Sequence, residues 1–488
     1  MTTAPLDDAT VFISGNFNVI HAGHIRLFAL ARELGTKLVV GVNSDQAAGS
    51  GAFIGQSFRL EALQTGSWAD QVVLIDKPLE AVIREIRPDI IVKGREFEHQ
   101  ENIEAKVLAE YGGELIFGSS ELPFSMTHIM RREISPPHIF SEQLSQPYAK
   151  RHGINAKEIS RALDRFRELQ VCVLGDLIID EYVSCEALGM SQEDPSLVVT
   201  PVDRKEFLGG AGIVAAHAAS LGATTVLLTV LGNDDTGVLA KEMLHDYGVE
   251  LRHVTDSSRP TTLKQRFRAD DTTLLRVSRL HQNSISLDHQ KTMLSYFEEV
   301  IDKCDLLILS DFNYGCLPQE LVDKCISIAS DRGTIVAADS QSSSQVGDIT
   351  RFKGANLVCA TEREARIGLR DNDSGLARIA DKLREATQCE NIILKLGADG
   401  VIVNGRNAAG LITTSNLPAL NQQPVDVAGA GDSMLAAAGM GLAAGASHWI
   451  AALLGSATAA MQIARLGNTP VKANELSEAM KNFGKKNL

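Results

Sequence analysis

The sequence predicts an α/β protein in which one 488-residue chain forms two domains, each built on a largely parallel sheet. Three observations carry that expectation. Short apolar runs alternate with helix-like spacing from Thr10 onward, and such alternation builds parallel sheets covered by helices on both faces. The alternation breaks over a polar, proline-marked stretch that begins at Ser135 and resumes at Val171. At 488 residues the chain also exceeds what one ordinary core supports.

In the first half, apolar runs at 10–14, 37–43, 71–75, 89–92 and 114–117 read as buried strands. Segments near 23–35, 57–66, 78–87 and 101–111 carry helical spacing between them. The break over 136–155 reads as a linker, giving domains at 1–137 and 156–488 with residues 138–155 between them. In the second half, strands are expected at 171–174, 225–228, 306–309, 334–337 and 391–394. The stretches 181–203 and 261–279 read as irregular strands, suited to a small accessory sheet or lid.

Composition narrows the class. With 44% apolar and 22% charged residues, the chain matches a soluble globular protein. No apolar run is long enough for a bilayer, and the segment MTTAPLDDAT lacks the basic and hydrophobic parts of a signal peptide, so a cytoplasmic protein with no membrane partner is expected. A formal charge of −14 argues against a nucleic-acid partner, because phosphate backbones are bound by clustered Lys and Arg. All seven cysteines lie from Cys172 onward without Cys-x-x-Cys spacing, which reads as reduced, mostly buried thiols.

Two segments bear chemistry. At the end of the first strand, Gly15 opens the segment GNFNVIHAGH, with His21 and His24 three residues apart at a strand-to-helix turn. Two imidazoles so placed can face one side, Gly23 lets a phosphate approach the backbone, and the following helix presents unpaired N–H groups. Nucleotidyl transfer needs such positioned donors rather than covalent help. The spacing alone serves a structural or metal-ligand pair equally well. In the second half, Gly429, Ala430 and Gly431 leave amides uncovered at a helix start, forming a phosphate cradle. Asp432 follows directly, where its carboxylate can accept the proton of an attacking hydroxyl.

Residues 15–24 resemble the G-x-F-D-x-x-H-x-G-H signature of the cytidylyltransferase-like nucleotidyltransferases, and the likeness extends over about the first 135 residues. It implies catalytic roles for His21 and His24. It further implies nucleotide or phosphate contacts for Gly15, Phe17, Asn18 and Gly23, and for Ser125 and Thr127 in a closing loop. Arg59 and Lys93 match substrate-side positions of that family. Asn18 stands where the family has Asp, and no Lys or Arg lies between Lys37 and Arg59.

Residues from about 168 to 470 resemble the ribokinase-like (PfkB) sugar kinases. The likeness makes Asp432 the general base and assigns Lys395, Gly397, Gly400 and residues 429–431 to ATP. Glu364 is assigned to the Mg²⁺–phosphate network, indirectly. Asp176, Asp180, Gly209, Gly210, Asp311 and Asp426 fall on the substrate side, and Lys264 and Arg266 on a strand resembling a sugar-phosphate-binding one. Ile213, Tyr314, Ser340, Gln341, Thr361 and Val427 depart from the family pattern.

Within these families both halves are most similar to the enzymes of ADP-heptose synthesis, where the kinase precedes the transferase; here the order is swapped. The resemblance implies ATP-dependent phosphorylation of a sugar phosphate at its anomeric hydroxyl, adenylyl transfer to a sugar 1-phosphate, Mg²⁺ with ATP, and a homo-oligomer. The conjugate would supply a bacterial surface polysaccharide. Another sugar or polyol phosphate with CTP, or one domain retained as a sensor or assembly module, are the alternatives.

Overall fold

The computed structural model describes residues 9–18, 20, 22–66, 68–94, 102–118, 142–191, 193–194, 196–269, 272–341, 347–407, 410–421 and 423–481. The chain divides between His138 and Ile139 into two compact units.

In the first unit, β1 (Thr10–Gly15), β2 (Lys37–Asn43), β3 (Gln71–Ile75), β4 (Ile90–Gly94) and β5 (Glu114–Gly118) form one parallel sheet in the order β3-β2-β1-β4-β5. Alternate residues of β1 serve opposite faces, as the two-residue period of a strand requires. Val11 and Ile13 pack with Phe28 and Ala31 of the helix Ala22–Leu34 and Leu63 of the helix Gln56–Thr65. Phe12 packs with Val82 and Ile83 of the helix Leu79–Ile86 and Val107 of the helix Ile103–Leu108. The chain runs outward from β1 to β3, then returns to the other side of β1 as β4. The carboxyl ends of β1 and β4 therefore flank the switch point where open α/β sheets bind ligands.

The second unit has a nine-stranded sheet. Its strands are β6 (Gln170–Gly175), β9 (Thr224–Leu231), β10 (Glu250–Thr255), β13 (Leu306–Asp311), β14 (Ile335–Ser340), β15 (Leu357–Thr361), β16 (Asn391–Lys395), β17 (Val401–Arg406) and β18 (Ile412–Leu417). The order is β10-β9-β6-β13-β14-β15-β16-β17-β18, parallel as far as β16 and antiparallel for the last two pairings. Helices Ala211–Ser220, Ala430–Ala443 and His448–Gln462 cover one face, and Leu287–Ile301, Gln319–Asp331 and Leu376–Thr387 the other. Small side chains let Ala430–Ala443 and His448–Gln462 pack closely. A Cβ on Gly441 would stand 3.0 Å from the Cα of Ala451, and one on Gly455 3.0 Å from the carbonyl of Met434.

The accessory sheet is present, and its strands carry the expected irregularity as register shifts at Ser184/Cys185, Ala187/Gly189 and Phe267/Arg268. Strands β7 (Leu177–Met190) and β8 (Leu197–Gly210) are each 14 residues long and pair antiparallel, and β11 (Thr262–Ala269) and β12 (Thr272–Arg279) complete the order β12-β11-β7-β8. Because β7 begins two residues after β6 ends, the lid hangs directly from the carboxyl edge of the main sheet.

The expected linker over 138–155 needs correction. Residues 138–141 lie outside the described residues, but Glu142–His152 is a helix of the second unit, and Asn155 caps the next helix by accepting from the Glu158 amide at 3.0 Å. Tyr148 is fully enclosed in that unit's core, and its hydroxyl donates to the Trp449 carbonyl at 3.2 Å. Pro147 and the polar flanks hid a helix that is apolar on a single narrow side. All seven cysteines are unbridged, and six are buried. Truncation of the buried ring should be costly: Tyr148→Ala is expected to destabilise the second unit by about 3–5 kcal/mol in urea unfolding. A loss under about 1 kcal/mol would show that the helix contributes little to the core.

Candidate active sites

In the first unit, β1 ends at Gly15 and the backbone turns sharply. Phe17 adopts φ +45°, a left-handed conformation that costs a bulky residue of order 1–3 kcal/mol and concentrates at functional turns. Its ring meets the His24 imidazole edge-on at 5.0 Å, and Phe28 packs with both rings, 6.4 Å from the imidazole and 5.8 Å from Phe17. His24 is thus held by aromatic contacts in the first turns of the helix Ala22–Leu34, which also contains Gly23. His21, Ser125 and Thr127 lie outside the described residues.

The remaining expected contacts of this unit serve the fold. Asn18 donates to the Gly51 carbonyl at 2.8 Å and accepts from the Phe53 and Ile54 amides at 2.9 and 3.3 Å. Arg59 is wholly buried. Its guanidinium donates to the carbonyls of Ile54 and Asn16, both at 2.7 Å, and to Asp45 at 2.6 Å. Lys93 donates to Asn102 at 2.8 Å and to Glu104 at 2.7 Å. Arg59 and Lys93 are therefore already neutralised or saturated by protein groups, unlike the ligand-facing cations expected at these positions.

In the second unit, carboxylates gather at the carboxyl ends of the strands. Asp176, Asp180, Asp311, Asp339 and Asp432 are all buried. Asp176 accepts from the amides of Phe312 at 2.9 Å, Tyr314 at 3.2 Å and Cys316 at 3.1 Å, so it organises the turn after β13 rather than facing a ligand. Burial and the neighbouring Asp311 push its carboxyl up to about 6. Asp311 itself accepts from Arg351 at 3.0 Å and Ser340 at 3.1 Å. Asp426 accepts from Tyr182 of β7 at 2.8 Å and from the amides of Ala428 and Gly467 at 3.0 and 3.1 Å, tying the lid to the turn before the glycine cradle. Burial opposes ionisation of Asp426, but these donors hold it below the usual carboxylate range.

Asp180 is different. Its Oδ1 is buried without a hydrogen-bond partner among the described residues, with Arg266 of β11 3.7 Å away, and burial raises its pKa against the pull of Arg266 and Lys264. Gly209 makes room for it, because a Cβ there would stand 2.4 Å from Asp180 Oδ2. Gly210, at φ +56°, starts the helix Ala211–Ser220. The Lys264 ammonium lies over the rings of Phe312 at 5.2 Å and Tyr314 at 5.1 Å.

The cradle closes the site. Gly429 has φ +74°, and a Cβ there would stand 2.3 Å from Asn468 Oδ1. A Cβ on Gly431 would lie 3.1 Å from the Lys395 ammonium, which pairs with Asp339 at 2.5 Å. Gly397 and Gly400, both at positive φ, shape the turn after Lys395. Asp432 Oδ1 accepts from Gln341 Nε2 at 2.9 Å. Burial, reinforced by Asp339, pushes its carboxyl up to about 7, against the opposing charge of Lys395; Asp180 and Lys264 act on it as well. A carboxyl near neutrality, the glycine turn and the lid residues Asp180 and Lys264 thus act on one another at this end of the sheet.

Glu364 closes a capping box with Thr361, accepting from the Thr361 amide at 2.7 Å, so part of its role is to start the helix Glu362–Leu369. Its charge also acts on Lys395 and Asp339. Among the described residues no cluster of three or more His, Cys, Asp or Glu is arranged to hold a metal by itself. One oxygen of Asp339, Oδ1, is buried without a hydrogen-bond partner among those residues. That donor set suits a Mg²⁺ that keeps its waters and takes most ligands from nucleotide phosphates.

The family model described as pfkB family carbohydrate kinase matches residues 168–474. The chain belongs to the pfkB family of carbohydrate kinases. A second model, cytidylyltransferase-like, matches residues 12–124. Among curated relatives, the bifunctional protein HldE of Desulfatibacillum aliphaticivorans is 31% identical over 316 residues, 64% of this chain and 63% of the relative. That of Pelobacter propionicus is 29% identical over 332 residues, 67% and 66% of the two chains. The chain thus spans just under two thirds of these relatives' length. Ribokinase from Thermotoga maritima shares the fold with a TM-score of 0.51 at 21% identity, over 64% of this chain and all of that one. Phosphofructokinase-2 from Escherichia coli, in complex with substrates and products, shares it at 0.53 and 15% identity, over 64% and 99%.

In this pfkB member, sequence reasoning missed Asp339, Gln341, Arg351, Tyr182 and Asn468. Asp339 was findable: it ends a buried apolar strand just as Asp311 does. The others gain meaning only through distant partners.

Three outcomes are expected. Arg59→Ala should destabilise the first unit, because its hydrogen bonds to two half-buried carbonyls are worth about 1.5–3 kcal/mol each; unchanged thermal unfolding would contradict the structural role. Kinase turnover should fall about tenfold per pH unit below about 7, as Asp432 is protonated, and level off above; a flat pH–rate profile for ADP release would exclude it as base. The folded-state pKa of about 7 exceeds the ordinary 3.8, so the stability this carboxyl contributes is full below 3.8 and lost as pH rises through about 7. Asp432→Asn should therefore be more heat-stable than the parent at mildly alkaline pH.

Proposed function

We propose that the second unit phosphorylates a sugar phosphate at its anomeric hydroxyl with ATP, and that the first transfers an adenylyl group from ATP to a sugar 1-phosphate, releasing pyrophosphate. The proposed sugar is a heptose: heptose 7-phosphate goes to the 1,7-bisphosphate, and heptose 1-phosphate with ATP to ADP-heptose. The meeting of Asp432 with the glycine cradle and the lid cations carries the kinase half. The cytidylyltransferase-like match and the resemblance of both halves to the enzymes of ADP-heptose synthesis support its pairing with a transferase and the choice of heptose. The two relatives named bifunctional protein HldE agree with a two-activity chain. Because the kinase product carries two phosphates and the transferase substrate one, a phosphomonoester hydrolysis must come between the two reactions.

In the kinase half, Asp180 accepts a hydrogen bond from a sugar hydroxyl through its unpartnered Oδ1, and Lys264 and Arg266 hold the sugar's existing phosphate. Asp432 takes the proton of the attacking hydroxyl while Gln341 orients its carboxylate. The amides of residues 429–431 and the Lys395 ammonium receive the charge of the transferring phosphoryl group. Asp339, with Glu364 behind it, would hold Mg²⁺, which neutralises phosphate charge when bound. In the transferase half, His24 and His21 stabilise charge on the α-phosphate, with Gly15 and Gly23 letting it approach the backbone. The proposed reaction runs in the cytoplasm, where nucleotides and sugar phosphates are available.

The spending of Arg59, Lys93 and Asn18 on the fold favours a second reading, in which the first unit binds nucleotide without transferring it. Supplying ATP or CTP with a panel of sugar 1-phosphates, heptose included, and following pyrophosphate separates the two. Pyrophosphate release that falls about 10²–10³-fold in His24→Ala, with ADP formation unchanged, supports transfer. Asp432→Asn should lower ADP formation about 10²–10⁴-fold and leave pyrophosphate release intact. No pyrophosphate with any acceptor would establish the second reading.

A further inference from the structure

The second unit has a large cavity far from its phosphate cradle. Lys395 at the end of β16 pairs with Val401, and Val401 with Leu417, so those residues mark the active-site end of the sheet. Arg406 and Ile412 pair at the opposite end. The 14-residue helix Ala430–Ala443 starts at the cradle and runs about 20 Å before reaching Ala444 and Gly445, which line a cavity of about 970 Å³. That volume fits a metabolite of nucleotide size.

Its lining is polarised. Arg151, Arg161 and Arg406 contribute three cations, against Glu158 as the one carboxylate of the lining. The first turn of the helix His448–Gln462 forms part of the wall, adding the positive end of a helix dipole. Four atoms of lining residues, His152 Nε2, His448 Nε2, Thr413 Oγ1 and Ser415 Oγ, are buried without a hydrogen-bond partner among the described residues. Ser415 is only 5% exposed. Buried polar groups are rarely left unsatisfied without a reason.

Trp449 fixes both imidazoles, stacking on His152 at 3.8 Å and 14° and leaning on His448 at 4.1 Å. Burial, with Arg151, lowers the pKa of His152, and burial, with His152, lowers that of His448 to about 4. Each ring is therefore neutral near pH 7, offering one donor and one acceptor nitrogen.

We propose that this cavity is a second, non-catalytic binding site for a small phosphate ester, with Arg151 and Arg161 holding the phosphate and the imidazole and hydroxyl groups receiving the rest of the molecule. Planar guanidinium groups suit phosphate oxygens, and sugar hydroxyls or a nucleoside match the imidazole- and hydroxyl-bearing residues of the lining.

Trp68 and Trp449 are the two tryptophans of the chain, so Trp68→Phe leaves Trp449 as the sole indole reporter. In that background the full chain is titrated with ADP, glucose 1-phosphate, inorganic pyrophosphate and, at matched ionic strength, sulfate. Saturable quenching or shift of Trp449 emission by ADP or glucose 1-phosphate is expected, and which of them acts identifies nucleotide or sugar phosphate as the source. Arg151→Ala/Arg161→Ala should weaken that binding at least about tenfold while ADP formation by the kinase stays unchanged. Both arginines are exposed, so the double variant retains its fold; Arg161→Gln alone should give a smaller loss. The proposal is overturned if neither ester produces a saturable change, if the double variant binds as tightly as the parent, or if sulfate or pyrophosphate alone produces an equal response.

Discussion

Crowding five buried aspartates at one end of a sheet is the constraint on which the second unit depends. Like charges repel and burial penalises each of them, so Asp176, Asp180, Asp311, Asp339 and Asp432 all titrate above the ordinary range. Each is held by a different device. Three backbone amides hold Asp176, Arg351 holds Asp311, and Lys395 holds Asp339. Asp180, Asp339 and Asp432 have the fewest partners: Asn468 at 3.4 Å and an arginine 3.7 Å away for Asp180, Lys395 alone for Asp339, and one side-chain amide for Asp432. Asp176 and Asp311, with their several donors, stiffen the loops around the others. Raised pKa values and dense hydrogen bonding follow from the same burial.

The first unit solves its site with different materials. Its turn after β1 is built by side-chain amides: Asn18 braces residues 51–54, and Asn16 accepts from Asn43 at the end of β2. Arg59 threads through the same loops, where its five donors can satisfy carbonyls that the irregular backbone leaves unpaired. What such a turn offers an anion is backbone N–H groups and imidazole, with the strain at Phe17 fixing where the His24 ring stands. An asparagine in place of an aspartate suits that design, because its amide donates to the Gly51 carbonyl where a carboxylate would repel it.

Much of this was legible before any coordinates. The parallel strands of both units were visible because strands buried on both faces must be apolar runs, and VFI, KLVVGV, LLIL and NIIL meet that requirement. The glycine cradle and Asp432 were visible because a phosphate site needs uncovered amides and a base in fixed order along the chain. Strand β17 and the edge strands β18 and β10 escaped notice; in the two edge strands the apolar signal is diluted by residues such as Thr413, Ser415 and Arg252.

The sequence by itself determined the alternation of strand and helix, the two-unit organisation, the lid and the residues closest to phosphate chemistry, since each of these is written in local spacing. The tertiary structure alone decided which charged residues are spent on the fold. Arg59, Lys93 and Asp176 have the residue types of a binding site, yet their partners lie on other elements and consume them. It also decided that Tyr148 belongs to the second core, because its burial depends on Trp449, three hundred residues away. Local sequence specifies conformation through steric and periodic rules, whereas the allegiance of a polar side chain is settled by whichever partner the folded chain brings within hydrogen-bonding distance.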